Sequence, residues 1–275
     1  LLILVLGLLL PSAEGIAVLP DRDRYIQVID CKLRYRTTDL DKPPIVMLHG
    51  FGGNLSDWEK IAGRVKCAKT VSLDLVGFGL SEKPSMDYGI ETQRHYLLAF
   101  LDAMNIEKAV LVGTSMGASI ALWTAAKSPE RVAGLVVFAP SAYPDSMRHA
   151  WPGDIFYKPG FPNRMLRAIV GMKIFRALFP KSLGLQAIDI TASYNHEFVD
   201  LLSSIQQPVL LIWSRGDKRV PFPYSERYKE LLRNVVFIEA PKNLGHRAAS
   251  NPTPEIHDGI CTLVAKARFN TAPQH

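Results

Sequence analysis

The stretch that decides the fold is Ala109-Val110-Leu111-Val112-Gly113-Thr114-Ser115-Met116-Gly117, where a short apolar run leads into a Gly-x-Ser-x-Gly motif. The apolar run predicts a buried strand, and residues 116–126 predict a helix that begins directly after the serine. Glycines on both sides of the serine allow strand and helix to approach closely in a sharp turn. Such a turn lifts the serine hydroxyl above the sheet and aims it at the positive end of the helix. Ser115 is therefore a nucleophile candidate, and a capping serine in an ordinary turn is the alternative.

The rest of the chain repeats this strand–helix order. A predicted hairpin at 25–30 and 32–36 precedes further strand-length runs at 45–48, 70–74, 132–138, 209–213 and 235–238. Helical periodicity covers 92–104, 116–126, 222–232 and 254–267. This alternation predicts an α/β fold with a mostly parallel central sheet that carries helices on both faces. Ligands of such sheets lie beyond the carboxyl ends of the strands, which is where Ser115 is expected.

One long segment interrupts the alternation. Residues 140–207 contain no clear buried strand, are rich in Pro, aromatic and basic residues, and show a helical pattern at 163–179. They predict a helical cap inserted between two parts of one core, residues 16–139 and 208–275. The 163–179 helix carries both basic and apolar residues. Its apolar face is expected to pack over the site, and a basic amphipathic helix that contacts a membrane surface is the alternative.

A serine hydroxyl is a weak nucleophile and needs a base, which an acid must orient. His246 follows the last predicted strand, directly after Gly245, and is the candidate base. Asp217 follows the strand at 209–213 and is the candidate acid. Asp145, early in the insertion, is the alternative acid. A turn aspartate that hydrogen-bonds its own backbone is the non-catalytic explanation for Asp217.

Two backbone N–H groups should meet the oxyanion of a tetrahedral intermediate. One is the N–H of Met116, beside the nucleophile. The other is the N–H of Phe51, in the loop His49-Gly50-Phe51-Gly52-Gly53 that follows the strand at 45–48. His49 is interpreted as a brace for this loop. This set of groups requires no metal and no cofactor, and none is predicted.

Charge and cysteine usage narrow the function classes further. The net charge is +6 and the pI about 9.2, but no run of five or more Lys/Arg and no zinc-ligand spacing occurs. Nucleic acid is therefore not a predicted partner. The three cysteines, Cys31, Cys67 and Cys261, form no C-x-x-C pair, which argues against a metal or redox motif. A Cys31–Cys67 disulfide is one pairing that an oxidising compartment would permit.

The first fifteen residues have the pattern of a targeting signal. Residues 1–10 form an apolar run interrupted only by Gly7, and Ala13-x-Gly15 supplies small residues for cleavage. A bilayer span needs roughly twenty apolar residues, whereas this length suits the apolar part of a secretory signal peptide. Residues 1–15 are predicted to be a signal peptide or an N-terminal anchor. The protein is accordingly predicted to be secreted or periplasmic, or membrane-anchored, with a buried strand as the alternative for this run.

Five motifs follow one another in a fixed order. They are His49-Gly50-Phe51-Gly52, Asp74-Leu75-Val76-Gly77-Phe78-Gly79-Leu80-Ser81, the serine turn, Gly216-Asp217 and Gly245-His246. Together they resemble the α/β-hydrolase superfamily, in particular its capped serine esterase, lipase and C–C hydrolase branch. The resemblance extends over residues 25–267, and the order Ser115, Asp217, His246 is that of this fold. In such relatives Asp74 and its loop shape the rim of the site, so Asp74 is interpreted as structural.

The resemblance implies a function, and the chain departs from the family pattern at one position, Cys31. It implies hydrolysis of a carboxylic ester, from a small molecule or a lipid, through an acyl-serine intermediate. Hydrolysis of a C–C bond in a meta-cleavage product or of a thioester uses the same triad and stays open. A non-catalytic receptor is less favoured because all three triad residues are present. Relatives of the haloalkane-dehalogenase and epoxide-hydrolase type carry Asp where this chain has Ser115, and many relatives carry Gly where it has Cys31. The oligomeric state is left open.

Overall fold

The chain folds around a twisted sheet, as shown by a computed structural model that describes residues 23–141, 186, 189, 190, 193, 194 and 196–269. The predicted signal or anchor at 1–15, the predicted helix at 163–179 and the alternative acid Asp145 lie outside the described residues. Most of the predicted cap lies outside them as well, so the cap remains a prediction.

Eight strands form the sheet, in the order β1-β2-β4-β3-β5-β6-β7-β8. They are β1 Arg24–Val28, β2 Cys31–Thr37, β3 Pro44–Leu48, β4 Lys69–Leu73, β5 Ala109–Thr114, β6 Val132–Phe138, β7 Val209–Ser214 and β8 Val235–Ala240. The β1–β2 and β2–β4 pairs are antiparallel, and the neighbours from β4 to β8 are parallel. The predicted mostly parallel α/β architecture and the N-terminal hairpin are thus confirmed.

Helices cover both faces of this sheet. Those in the described residues are α1 Glu59–Arg64, α2 Ile90–Ala103, α3 Met116–Lys127, α4 His196–Leu202, α5 Tyr224–Leu231 and α6 Pro254–Lys266. Four match predicted helical segments, and α1 and α4 were not predicted. The rings of Phe198 in α4 and Trp123 in α3 stack at 5.4 Å. The end of the segment predicted as an insertion therefore joins the helical layer of the core. None of the described helices combines the length and apolar character needed to cross a membrane.

The two faces of the sheet bury alternate side chains of the same strand. In β3, Val46 and Leu48 pack into one cluster with residues of α2 and α3. Ile45 and Met47 pack into the opposite cluster with residues of α1 and α6. A parallel strand covered on both faces reads as a continuous apolar run, which is why the run at 45–48 predicted it. The loops after β3 and β5 consequently rise from the centre of the sheet, where both faces are buried.

A disulfide joins Cys67 and Cys261, whose Cα atoms are 5.7 Å apart. It links the segment before β4 to α6 across 194 residues of sequence. The Cys31–Cys67 pairing that the sequence permitted is wrong, because these two residues pack on opposite faces of the sheet. Cys31 is a free, buried thiol on the other face, where its Sγ lies 3.6 Å from the hydroxyl of Tyr96.

Candidate active site

Ser115 lies in the turn between β5 and α3 in a strained backbone conformation. Its φ is 52° and its ψ is −115°, in the left-handed region that residues with a side chain rarely adopt. Such strain persists only where surrounding contacts hold it. The Ser115 N–H donates to the carbonyl of Phe138 at 2.9 Å, and the Ser115 carbonyl accepts the N–H of Ser119 at 3.0 Å. The turn that the motif predicts is therefore present and firmly held.

The two glycines of the motif are explained by close packing. A Cβ on Gly113 would collide with the backbone of Gly117. A Cβ on Gly117 would collide with the carbonyl of Leu48 at the end of β3. Both positions therefore exclude any side chain. Because these two residues have no Cβ, β3, β5 and α3 can pack closely together beside Ser115.

Asp217 and His246 are in direct contact, as the sequence predicted. His246 Nδ1 lies 2.7 Å from Asp217 Oδ2. The other carboxylate oxygen of Asp217 accepts the N–H groups of Arg219 at 2.8 Å and Val220 at 2.9 Å. Its side chain is fully buried. A carboxylate anchored in this way accepts a hydrogen bond from the Nδ1–H group, which leaves Nε2 of the imidazole as the basic nitrogen.

The acid and base loops pack tightly against each other. Gly245 has a φ of 51°, which turns the chain so that His246 faces the acid. A Cβ on Gly216 would collide with the carbonyl of Lys242. The hydroxyl of Ser214 also donates to the carbonyl of Pro241 at 2.9 Å. Glycine at both positions is thus what lets the two loops bring acid and base within hydrogen-bond distance.

The sheet places this pair on the same edge as Ser115. Ser115, Asp217 and His246 follow the carboxyl ends of β5, β7 and β8, which run parallel. One strand, β6, lies between β5 and β7. Neighbouring strands are about 4.8 Å apart. This spacing sets the acid loop two strands from the serine, and the base lies on the loop after the next strand, β8, in contact with the acid.

The predicted oxyanion loop passes directly beside the serine. A Cβ on Gly50 would be 3.5 Å from Cβ of Ser115. The preceding His49 is fully buried, with Nδ1 2.7 Å from the carbonyl of Gly50 and Nε2 accepting the N–H of Leu75 at 3.1 Å. Burial lowers the pKa of His49. A neutral ring that bonds through both nitrogens is a brace, in agreement with the prediction for this residue.

The two predicted oxyanion donors belong to different segments: Met116 to the start of α3, and Phe51 to the loop after β3. Met116 is the first residue of α3, where backbone N–H groups have no partner within the helix. Phe51 is partly exposed, and its ring meets that of Phe78 edge-to-face at 5.6 Å. The positions are those that the sequence assigned, and their role as oxyanion donors remains a prediction.

Asp74 fastens the rim of the site, which supports its structural interpretation. Its carboxylate accepts the N–H groups of Leu55 at 2.6 Å and Leu80 at 2.8 Å, and a guanidinium N–H of Arg34 at 3.2 Å. Arg34 in turn pairs with Asp23 at 2.6 Å. This buried ion pair was not predicted from the sequence. The one indication of it was an arginine within an otherwise half-buried strand, β2.

A second group missed from the sequence is a chain of buried hydroxyls. The Ser119 hydroxyl donates to the carbonyl of Ser115 at 3.2 Å and accepts the N–H of Ser141 at 3.1 Å. The Ser141 hydroxyl lies 3.0 Å from the hydroxyl of Tyr194. These contacts link the serine turn to the segment that leaves β6 and to residue 194 far along the chain. Only the spacing of Ser119, one helical turn after Ser115, hinted at them.

A metal centre has no support in the described part of the chain. No cluster of three or more His, Cys, Asp or Glu side chains suitable for a metal occurs there. The candidate site is built instead from a hydroxyl, an imidazole, a carboxylate and backbone N–H groups.

Sequence comparisons agree with this architecture. A family model described as alpha/beta hydrolase fold matches residues 43–170. A haloalkane dehalogenase of Mesorhizobium japonicum is 34% identical over 123 residues, covering 44% of this chain and 40% of that protein. A 2-hydroxy-6-oxo-2,4-heptadienoate hydrolase of Pseudomonas putida is 24% identical over 69% of this chain and 77% of its own length. Lipase 1 of Psychrobacter immobilis is 28% identical over 64% and 62%. The match thus spans less than two thirds of the dehalogenase and of the lipase.

Solved structures show the same fold. The meta-cleavage product hydrolase CumD of Pseudomonas fluorescens has a TM-score of 0.71 at 20% identity, over 89% of this chain and 98% of its own. The haloalkane dehalogenase variant DbeA-M1 of Bradyrhizobium elkanii has a TM-score of 0.67 at 20% identity, over 88% and 96%. At these identities the structures support the fold alone. The strand order and the serine turn agree with the family model, whose match covers slightly less than half of the chain, and together they show the α/β-hydrolase fold.

Proposed function

We propose that the protein is a serine hydrolase that cleaves a carboxylic ester through an acyl-Ser115 intermediate. The observation that carries the proposal is the 2.7 Å contact between His246 and a buried, doubly anchored Asp217, on the sheet edge that carries the strained Ser115. The similarity to haloalkane dehalogenases does not change this proposal, because the residue at the nucleophile position, Ser115, is a serine.

In the proposed reaction, Ser115 Oγ attacks the acyl carbon while Nε2 of His246 takes the hydroxyl proton. The N–H groups of Phe51 and Met116 bind the oxyanion that forms. The C–O bond then breaks as the imidazolium returns its proton to the departing alcohol. Water repeats the sequence on the acyl-enzyme and releases the acid. Asp217 keeps the imidazole in the required tautomer and stabilises its charged form.

The direct test is the rate of hydrolysis of p-nitrophenyl esters from acetate to palmitate. The wild-type chain is expected to hydrolyse part of this series, and Ser115→Ala to lose about 10^4- to 10^6-fold in turnover while staying folded. A matched control is Ser128→Ala, at the far end of α3, which should retain wild-type rates. Retention of a tenth of the activity by Ser115→Ala would overturn the assignment.

Cleavage of a C–C bond is the second candidate. It is favoured by the similarity to the heptadienoate hydrolase, which extends over 77% of that relative. The same nucleophile, base and acid would serve. Loss of the absorbance of a 2-hydroxy-6-oxo-dienoate, faster than hydrolysis of any ester in the panel, would establish this candidate over the first.

We also propose that the protein works in an oxidising compartment, as a secreted or periplasmic protein. The Cys67–Cys261 disulfide supports this, since disulfides persist mainly outside the reducing cytosol. Alkylation of the denatured protein taken from cells should modify one thiol, Cys31, without reductant and three with it. Modification of three thiols without reductant would contradict the proposal.

A further inference from the structure

Basic side chains surround the candidate acid and base. Arg215, Lys218 and Arg219 are exposed on the loop after β7 that carries Asp217. Lys242 and Arg247 are exposed on the loop after β8 that carries His246. Because these loops pack against each other through Gly216 and Lys242, the five cations belong to one surface.

This surface is poorly neutralised by its own residues. Arg215 pairs with Glu239 at 2.7 Å. The carboxylate of Asp217 is buried and committed to His246 and to backbone N–H groups. Lys218, Arg219, Lys242 and Arg247 form no ion pair with any residue that the structure describes. We name these four residues the cationic rim.

We propose that the cationic rim docks the protein on an anionic lipid bilayer and so presents Ser115 to an ester held in that bilayer. The part of the proposal that concerns an ester in the bilayer rests on the proposed function. Binding of the cationic rim to the bilayer does not. The four side chains lie exposed on two loops rather than in a closed pocket, and several basic residues near an anionic surface act additively. A soluble anion would instead require converging donors in a fixed, enclosed geometry.

The opposite edge of the sheet provides a matched control surface. Lys42, Lys66, Lys69 and Lys108 lie at the amino ends of β3, β4 and β5. Asp39, Asp41 and Glu107 share the open cavity of 560 Å³ at this edge, so the charges there are mixed. Replacing these four lysines changes the net charge by the same amount as replacing the rim, at the far end from Ser115.

The test is co-sedimentation of the full chain with vesicles of phosphatidylcholine alone or of phosphatidylcholine with phosphatidylglycerol. Three proteins are compared: wild type, the rim variant Lys218→Gln/Arg219→Gln/Lys242→Gln/Arg247→Gln, and the control variant Lys42→Gln/Lys66→Gln/Lys69→Gln/Lys108→Gln. All three retain residues 1–10, so binding through that apolar run cancels in the comparison. Each rim cation is expected to contribute about fivefold to the preference for anionic vesicles.

Wild type and control should bind the phosphatidylglycerol vesicles at least about tenfold more tightly at about 0.05 M salt and lose that preference at about 1 M salt. The rim variant should lose it at both salt concentrations. Equal binding to both vesicle types by wild type, or an equal loss in the control variant, would overturn the proposal. So would release from vesicles by inorganic phosphate at constant ionic strength, which would indicate a soluble-anion site. If the rim variant fails to fold, the double variants Lys218→Gln/Arg219→Gln and Lys242→Gln/Arg247→Gln take its place, and an unchanged preference in both would overturn the proposal. No outcome depends on whether the protein hydrolyses esters.

Discussion

At the scale of single residues, Asp217 divides its two oxygens between two tasks. One holds the acid loop through two backbone N–H groups, and the other holds His246. In Asp217→Asn, the amide oxygen is expected to keep the loop contacts, which turns the amide N–H group toward Nδ1. The proton is then forced onto Nε2 and the base is lost, so turnover should fall about 10^4-fold with little change in KM. The matched control is Asp145→Asn, and the reverse pattern in steady-state kinetics would transfer the acid role to Asp145.

We expect the hydroxyl of Ser119 to position Ser115. Its removal in Ser119→Ala leaves the strained carbonyl of Ser115 with one fewer donor and the N–H of Ser141 without its acceptor. Thr124→Val is the matched control, because Thr124 makes the same type of contact to Ile120 at 2.8 Å on the same helix. Each variant should lose about 1 kcal/mol of stability. Only Ser119→Ala should also lower kcat, by about fivefold with KM unchanged. Equal kcat in the two variants would leave Ser119 a purely structural residue.

The buried His49 and the half-buried His257 should make the fold sensitive to acid. Desolvation lowers the pKa of His257 and of His49. Below the unfolded-state pKa of about 6.5, the unfolded chain binds protons that the folded chain does not. The free energy of unfolding must therefore fall as the pH decreases from 7 toward the folded-state pKa values.

His257→Gln isolates part of this effect, because neither ring nitrogen of His257 has a hydrogen-bond partner among the described residues. Urea unfolding at pH 7 and pH 5 should show a smaller acid-induced loss of stability in His257→Gln than in wild type. The exposed His95 serves as the control, and His95→Gln should behave as wild type. If the free energy of unfolding of His257→Gln depends on pH as it does in wild type, His257 does not contribute to the acid sensitivity.

At the scale of elements, the start of α2 shows how far sequence patterns extend. The helix begins at Ile90, two residues before the predicted start, and its N-cap Gly89 has no side chain. The missing caps come from far along the chain: the Ser193 hydroxyl accepts the N–H of Ile90, and the Asp189 carboxylate accepts that of Tyr88, each at 3.0 Å. No local signal could place this boundary.

In the candidate site, too, some features can be predicted from the local sequence and others depend on distant segments. The strands were predictable because burial on both faces requires apolar runs. Ser115, Asp217 and His246 were predictable because each lies in the loop that follows such a run. The hydroxyl chain from Ser119 and the Cys67–Cys261 bond depend on contacts between distant segments. These contacts exist only after the sheet has formed, so composition and spacing do not encode them.

The Cys67–Cys261 disulfide couples α6 to the segment before β4. A cross-link across 194 residues restricts the unfolded chain strongly. Its removal in Cys67→Ser/Cys261→Ser should lower the free energy of unfolding by about 2–4 kcal/mol. Activity at 25 °C should be retained, because neither residue contacts the candidate site. Cys31→Ser is the control for loss of a thiol, and its stability should not respond to reductant differently from wild type. If the double variant is as stable as wild type under non-reducing conditions, the disulfide does not contribute to the free energy of unfolding.

At the scale of the whole molecule, the sheet gathers the chemistry at one edge. Parallel strands place their carboxyl ends together, so three loops far apart in sequence carry the candidate nucleophile, acid and base. The cationic rim lies at this edge as well, while the basic residues at the opposite edge are interspersed with carboxylates. The predicted cap at 140–207 would enclose the same edge and exclude water from an acyl group.

The measurement that tests the account most directly is covalent capture by a fluorophosphonate, located by peptide mass spectrometry. A serine activated by a base reacts with this probe, whereas an ordinary turn serine does not. The wild-type chain should carry one adduct on Ser115. Labelling should be absent in Ser115→Ala, strongly slowed in His246→Ala and unchanged in Thr124→Val. A folded wild-type chain that remains unlabelled, or that carries the adduct on another serine, would contradict the assignment of Ser115 as the nucleophile.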